Sequence, residues 1–287
     1  MRVDLLAGTA HSGAERPRDR LPRIVVFDSG LGGLTVHGEI ARLVPEAELI
    51  YVGGTAVFPY GRLAEKELVA RVSAVIGEVI RIHEPDIVVI ACNTASTLAL
   101  PILRAQFDVP FVGTVPAVKP AAAESKSRMI SVLATPGTVA REYTRELIAE
   151  HAKDCRVTLA GSTQLASFAE AELNGAPATD EEIVEELRPA FVEDNGARTD
   201  AVVLACTHYP LIADRLARLA PWPVKWIDST PAIARRVAVL AGEIPDNAPA
   251  GKRCALFTAA SNISAELREA LKARGIDDVG VLAVPSA

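Results

Sequence analysis

The sequence predicts an α/β protein of two pseudo-equivalent domains, each a mostly parallel sheet flanked by helices. Three observations lead there. From Ile24 onward, short apolar runs alternate with longer amphipathic stretches, the pattern of strands and the helices that cover them. Several of the short runs are β-branched and apolar at every position, as strands buried on both faces of a parallel sheet are. The chain also repeats itself: Asp86-Ile87-Val88-Val89-Ile90-Ala91-Cys92-Asn93-Thr94 can be laid over Asp200-Ala201-Val202-Val203-Leu204-Ala205-Cys206-Thr207-His208. Each reads Asp, an apolar strand, Ala-Cys, then small polar residues.

Along the chain, residues 1–22 are expected to form a loose N-terminal tail. Arg16, Arg18 and Arg20 there are interrupted by Asp4, Glu15 and Asp19, and the apolar stretch Val3–Ala7 is too short for a signal-peptide core. Strands are expected at Ile24–Phe27, Leu49–Val52, Ile87–Ala91, Phe111–Val112, Ile130–Leu133, Val157–Leu159, Val202–Ala205, Lys225–Ile227 and Ala255–Thr258. Apolar residues at three- and four-residue spacing mark helices within Leu63–His83, Val139–Lys153, Glu181–Asp194 and Ile233–Ala241. A weaker repeat pairs Ile24–Gly30 with Ile130–Gly137. Asn174–Asp180 and Ala241–Arg253 read as loops, neither long enough for an interdomain tether.

Composition bounds the function. The 287 residues suit about two domains, and 49% hydrophobic with 23% charged residues is a globular make-up. Thirty basic against 36 acidic residues leave a net charge of −6, which argues against a nucleic-acid or anionic-membrane partner. No apolar run reaches the roughly 18 residues of a membrane span. Four cysteines are too few for a disulfide scaffold. A soluble, cytoplasmic protein is expected.

Chemistry concentrates where strands end. Asp28-Ser29-Gly30-Leu31-Gly32-Gly33 follows the first strand, and glycines in such a turn let backbone N–H groups approach a ligand. The spacing is neither the dinucleotide fingerprint nor a P-loop. Cys92 and Cys206 each stand just beyond a strand, at the edge where open α/β sheets bind ligands, and a helix N-terminus there stabilises a thiolate. One free cysteine is more often a plain buried residue; two in equivalent places are harder to explain that way. No closely spaced Cys or His set completes a zinc site, so no metal is expected. A single-nucleophile protease would leave the second cysteine without a role. Two facing thiols suit a reaction in which one removes a proton and the other delivers one from the opposite side, which inverts a carbon centre. Ser29, Asn93, Thr94, Thr135, Thr138, Thr207 and Ser229 offer donors for a small carboxylate, while Asp28, Glu170 and His208 suit an ammonium group or proton movement.

The stretches Asp28–Val36, Pro59-Tyr60-Gly61, Ala91–Ala95, Thr114–Pro120, Leu133–Thr138 and Cys206-Thr207-His208-Tyr209-Pro210 together resemble the glutamate racemases, a branch of the cofactor-independent aspartate/glutamate racemases. The resemblance runs from about Ile24 to the final helix. It implies a discontinuous first domain, 23–114 with 228–287, and a second domain, 115–227, with the substrate between them. It implies Cys92 and Cys206 as the catalytic acid/bases with no cofactor, Cys206 deprotonating L-glutamate and Cys92 D-glutamate. Asp28 would support Cys92, and Glu170 and His208 would stand on the Cys206 side. Substrate contacts carry over to Asp28, Ser29, Tyr60, Gly61, Asn93, Thr94, Thr207 and His208. D-Glutamate for peptidoglycan would be the product, made by a homodimer.

Two departures stand out. Gly54 replaces an acidic residue that the family usually carries before Pro-Tyr-Gly, which would leave Cys92 more dependent on Asp28. Gly161–Glu170 lacks the family's Cys-Pro and Val-Pro landmarks, so Glu170 is matched by spacing and by the Ala-Glu that follows it. The alternatives are a sister racemase acting on aspartate or hydantoins, and a non-catalytic amino-acid binding module.

Overall fold

The computed structural model describes residues 20–245 and 247–284. Most of the expected tail, residues 1–19, lies outside the described residues. Its last three residues are built into the fold: Arg20 pairs with Asp86 at 2.8 Å, and buried Pro22 offers its carbonyl to the Glu48 N–H. The chain forms two compact units, Met1–Thr114 with Thr230–Ala287, and Val115–Ser229.

In chain order the strands are β1 (Arg23–Asp28), β2 (Glu48–Gly53), β3 (Ile87–Ile90), β4 (Phe111–Gly113), β5 (Met129–Ala134), β6 (Arg156–Gly161), β7 (Glu193–Asp194), β8 (Ala197–Arg198), β9 (Ala201–Leu204), β10 (Lys225–Ile227), β11 (Arg253–Phe257) and β12 (Asp278–Val281). The helices are α1 (Leu34–Leu43), α2 (Glu65–His83), α3 (Asn93–Gln106), α4 (Val118–Glu124), α5 (Pro136–Val139), α6 (Glu142–His151), α7 (Leu165–Leu173), α8 (Asp180–Leu187), α9 (Ala213–Leu219), α10 (Thr230–Ala241) and α11 (Ala265–Lys272).

The first unit is built on a six-stranded sheet in the order β12-β11-β2-β1-β3-β4, with every pair parallel. Its centre is the most apolar sequence available: Ile24–Phe27, Leu49–Val52 and Ile87–Ile90 are buried throughout, so helices must cover both faces. The second unit has a four-stranded parallel sheet, β10-β9-β5-β6. Ile130, Val132, Val203 and Ile227 pack there against Val118 and Ala121 of α4. Among the described residues no helix is long and apolar enough to cross a membrane.

The elements depart from the sequence pattern in three places. The helix expected over Glu181–Asp194 stops at Leu187, gives way to a 3-10 turn at Arg188–Ala190 around Pro189, and is followed by the β7–β8 hairpin. Asn195 and Gly196 at its tip both have positive φ, as a two-residue hairpin turn requires. The stretch Val139–Lys153 breaks because the Arg141 N–H and the Thr144 hydroxyl both bond to the Thr138 carbonyl, and the helix restarts at Glu142. Asp278–Val281 adds an edge strand beside β11 that its short sequence does not announce.

One buried polar residue sets a condition on the first unit's core. His37 of α1 is wholly buried, edge-on to Tyr51 with ring centroids 6.2 Å apart, and neither ring nitrogen has a hydrogen-bond partner. Burial, with the nearby Arg253 charge, holds its pKa down at about 4. The unfolded chain therefore binds a proton that the folded chain excludes, and stability falls as pH drops from 6.5 through 4. The shift corresponds to about 3 kcal/mol. Denaturant titrations of wild type and His37→Phe should diverge in that window, with only the wild type losing this increment. Parallel pH curves would show that the folded core admits the proton.

Candidate active site

Parallel pairing brings the functional turns of the first unit to one edge. Asp28 is opposite Gly53 and Phe27 opposite Ile90, so Ser29, Gly54 and Cys92 all follow strands that end together. Asp28 is fully buried, and its Oδ2 accepts the Gly30 N–H at 3.0 Å. The Gly30 carbonyl accepts the Tyr51 hydroxyl at 2.6 Å, and the Asp28 carbonyl accepts the Gly54 N–H at 2.8 Å. Gly33 is required by packing, because a Cβ there would lie 2.8 Å from the Asp28 Cβ. Cys92 is the N-cap of α3, and its buried thiol donates to the Ser29 hydroxyl at 3.5 Å. A thiolate there meets the positive end of a 14-residue helix. Asn93 and Thr94, the first two helical residues, are buried, and Asn93 Oδ1 has no hydrogen-bond partner.

In the second unit Cys206 is also buried at a carboxyl edge, two residues after β9, but its surroundings differ. The expectation of a helix N-terminus at each thiol holds only for Cys92. Cys206 leads into a 3-10 turn, Tyr209–Ile212, and α9 begins at Ala213. Its partner is a side chain: Cys206 Sγ lies 3.7 Å from His208 Nδ1, and His208 Nε2 lies 2.9 Å from Glu170 Oε1. With the Glu170 carboxylate accepting from Nε2–H, Nδ1 of a neutral imidazole is left to accept from the thiol. His208 and Thr207 are buried, and Glu170 is largely so.

A family model described as Asp/Glu/Hydantoin racemase matches residues 35–237. The chain belongs to that family. A protein named glutamate racemase from Agrobacterium fabrum is 50% identical over 248 residues, which are 85% of this chain and 90% of the relative. One of the same name from Brucella anthropi is 53% identical over 79% of this chain and 80% of its own length. The solved structure of Escherichia coli glutamate racemase, in complex with L-glutamate and the activator UDP-MurNAc-Ala, has a TM-score of 0.86 and 40% identity, covering 93% of this chain and all of that one.

At Gly54 the fold shows what stands against the backbone. Tyr60 sits in the 3-10 turn Tyr60–Arg62, followed by half-buried Gly61. A Cβ at position 54 would run into the Tyr60 hydroxyl and lie 3.0 Å from Cζ and 3.3 Å from the Asp28 carbonyl. The phenol therefore stands where any side chain at position 54 would begin. It is buried and without a hydrogen-bond partner. Burial, then the Cys92 and Asp28 charges, push its pKa well up, so it stays a neutral hydroxyl beside the Cys92 group.

Sequence reasoning passed over Ser162, Glu186 and Tyr209. Ser162 donates to Glu186 Oε2 at 2.5 Å, and Tyr209 is a wholly buried neighbour of Cys206. Tyr209 stands in the Cys206–Pro210 motif and was legible in that sense. Glu186 lies in the acid-rich run of α8 and carries no mark in sequence.

The fit between Gly54 and Tyr60 is testable. Overpacking a tight site costs about 1–3 kcal/mol, so Gly54→Ala should lower stability by that amount. In a Tyr60→Phe background the loss should shrink, since the obstructing hydroxyl is gone. A double-mutant cycle by chemical denaturation reads this; strictly additive losses would separate the two positions.

Proposed function

We propose that this chain is a glutamate racemase, an isomerase that interconverts L- and D-glutamate, one cysteine taking the α-proton and the other delivering its own to the opposite face. The observation that carries the reading is the pair of buried cysteines at carboxyl edges, one at a helix N-terminus and one against a His–Glu pair. Relatives named glutamate racemase at about half identity support glutamate over the sister substrates aspartate and hydantoin. The 40% identical E. coli enzyme, solved with L-glutamate, supports it further.

The α-proton of an amino acid is weakly acidic. In one direction the Cys206 thiolate takes it from L-glutamate: the C–H bond breaks, an S–H bond forms, and the electron pair moves into the carboxylate as an enediolate. Donors such as Ser29, Thr94 and Thr207 stabilise that charge as it develops. The Cys92 thiol then gives its proton to the opposite face, leaving D-glutamate and the thiols with exchanged protonation. The reverse direction uses Cys92 as base. His208, oriented by Glu170, holds the Cys206 proton between turnovers. The Asn93 side-chain carbonyl, buried without a partner, suits the substrate ammonium group. D-Glutamate for peptidoglycan, made in the cytoplasm, is the role that fits this product.

The test is L-glutamate in deuterated water with no added cofactor, followed by NMR and circular dichroism. Loss of optical activity with α-deuterium in the product is expected. Glutamate binding without exchange would leave the binding-module reading. A positioned acid/base contributes about 10²- to 10⁴-fold; Cys92→Ala and Cys206→Ala should each lose at least that, with thermal unfolding near wild type. Full activity in either variant would overturn the two-thiol scheme.

A further inference from the structure

The Cys206 side draws on helix α7, which carries Glu170 to His208. The start of α7 has no cap of its own. Gln164, its N-cap, makes no side-chain capping bond, and no acidic residue occupies the first turn. The first N–H groups of a helix need outside acceptors. Glu186 of the neighbouring α8 holds the turn that leads into them: its Oε2 accepts the Ser162 hydroxyl at 2.5 Å, the Thr163 N–H at 3.0 Å and the Gln164 N–H at 3.3 Å. Ser162 in turn accepts the Leu165 N–H at 3.0 Å. One carboxylate and one hydroxyl thus close the end of α7 and supply the negative charge that its dipole favours.

The arrangement needs a residue with an N–H at position 163, where a proline would have none to donate; Thr163 has one, and Glu186 receives it. The same pair, Ser162 and Glu186, also acts on Tyr209, the buried neighbour of Cys206. Tyr209 is held neutral by burial first and by the Cys206 charge second, and both Ser162 and Glu186 act on its phenol.

We propose that Glu186 is a positioning residue for the Cys206 half of the reaction, fixing the start of α7 through Ser162, Thr163 and Gln164 so that Glu170 stays on His208. The proposal rests on the two-thiol reading and deepens it. Glu186 touches neither substrate nor thiol; it acts through α7.

Site-resolved alkylation tests it without relying on turnover. The intact wild-type enzyme, Glu186→Ala, Glu186→Gln and Ser162→Ala are each treated with iodoacetamide at neutral pH, and modification of each cysteine is followed by peptide mass spectrometry. Misplacing a functional group by about 1 Å can cost on the order of 100-fold. In Glu186→Ala, alkylation of Cys206 should slow by about 10-fold or more while Cys92 keeps its wild-type rate. Glu186→Gln keeps an acceptor oxygen and should restore most of the rate. Ser162→Ala removes the hydroxyl that bonds Glu186 and Leu165 but leaves the Thr163 and Gln164 bonds to Glu186, and should give a smaller loss, again at Cys206 alone. Equal changes at Cys92 and Cys206 would make Glu186 a general stability residue and overturn the proposal, as would an unchanged Cys206. A wild-type Cys206 no more reactive than half-buried Cys155 would instead count against the two-thiol reading.

Discussion

Parallel pairing of strands buried on both faces is the constraint from which the candidate site follows. β1 has a parallel neighbour on each side, and its last residue, Asp28, is level with the last residue of β2. Polar side chains are excluded from such strands until they end, so the chemistry is confined to the turns that leave the carboxyl edge. Within β1, Asp28 is the exception. It is tolerated because its carboxylate turns back onto the Gly30 N–H and shapes the turn it introduces. A slip of one residue in β1 would put every core side chain on the wrong face, and would carry Ser29 away from the Cys92 thiol.

The two cysteines look equivalent in sequence and are served by different physics. Cys92 depends on backbone: the aligned peptides of α3 and a neighbouring hydroxyl. Cys206 depends on side chains: an imidazole, a carboxylate behind it, and the helix that carries that carboxylate. A backbone dipole is fixed once the helix forms. A side-chain relay holds only as well as each member is held, which is why the end of α7 matters to one thiol and not the other.

How much could be read from the amino acids alone differs from element to element. The central strands were legible because Ile, Val and Leu fill them without alternation. Cys92, Cys206 and His208 were legible because they fall in local motifs at strand ends. The β7–β8 hairpin carried its own signal in Asn195-Gly196, but the acidic helical periodicity before it masked the turn. Glu170 was reachable only by spacing, since its partner His208 is 38 residues away. The exchange of Gly54 for the Tyr60 hydroxyl and the bonding of Glu186 to Ser162 were not legible at all. Each is a complement formed across space between residues whose local sequence is unremarked.

The six-stranded sheet takes the two strands beyond β2 from the far end of the chain. β2 is sandwiched between β1, made just before it, and β11, made about 200 residues later. At the roughly 5–20 residues per second of protein synthesis, that interval is roughly 10–40 s. All of Val115–Ser229 is completed within it. Throughout that time the row of N–H and C=O groups on that side of Leu49–Val52 has no strand to pair with and only water to bond, in an apolar segment of the kind that recruits other chains. A nascent molecule is thus most prone to stick to its neighbours after most of it has been made, and the hazard ends only when Arg253–Phe257 leaves the ribosome and closes the edge.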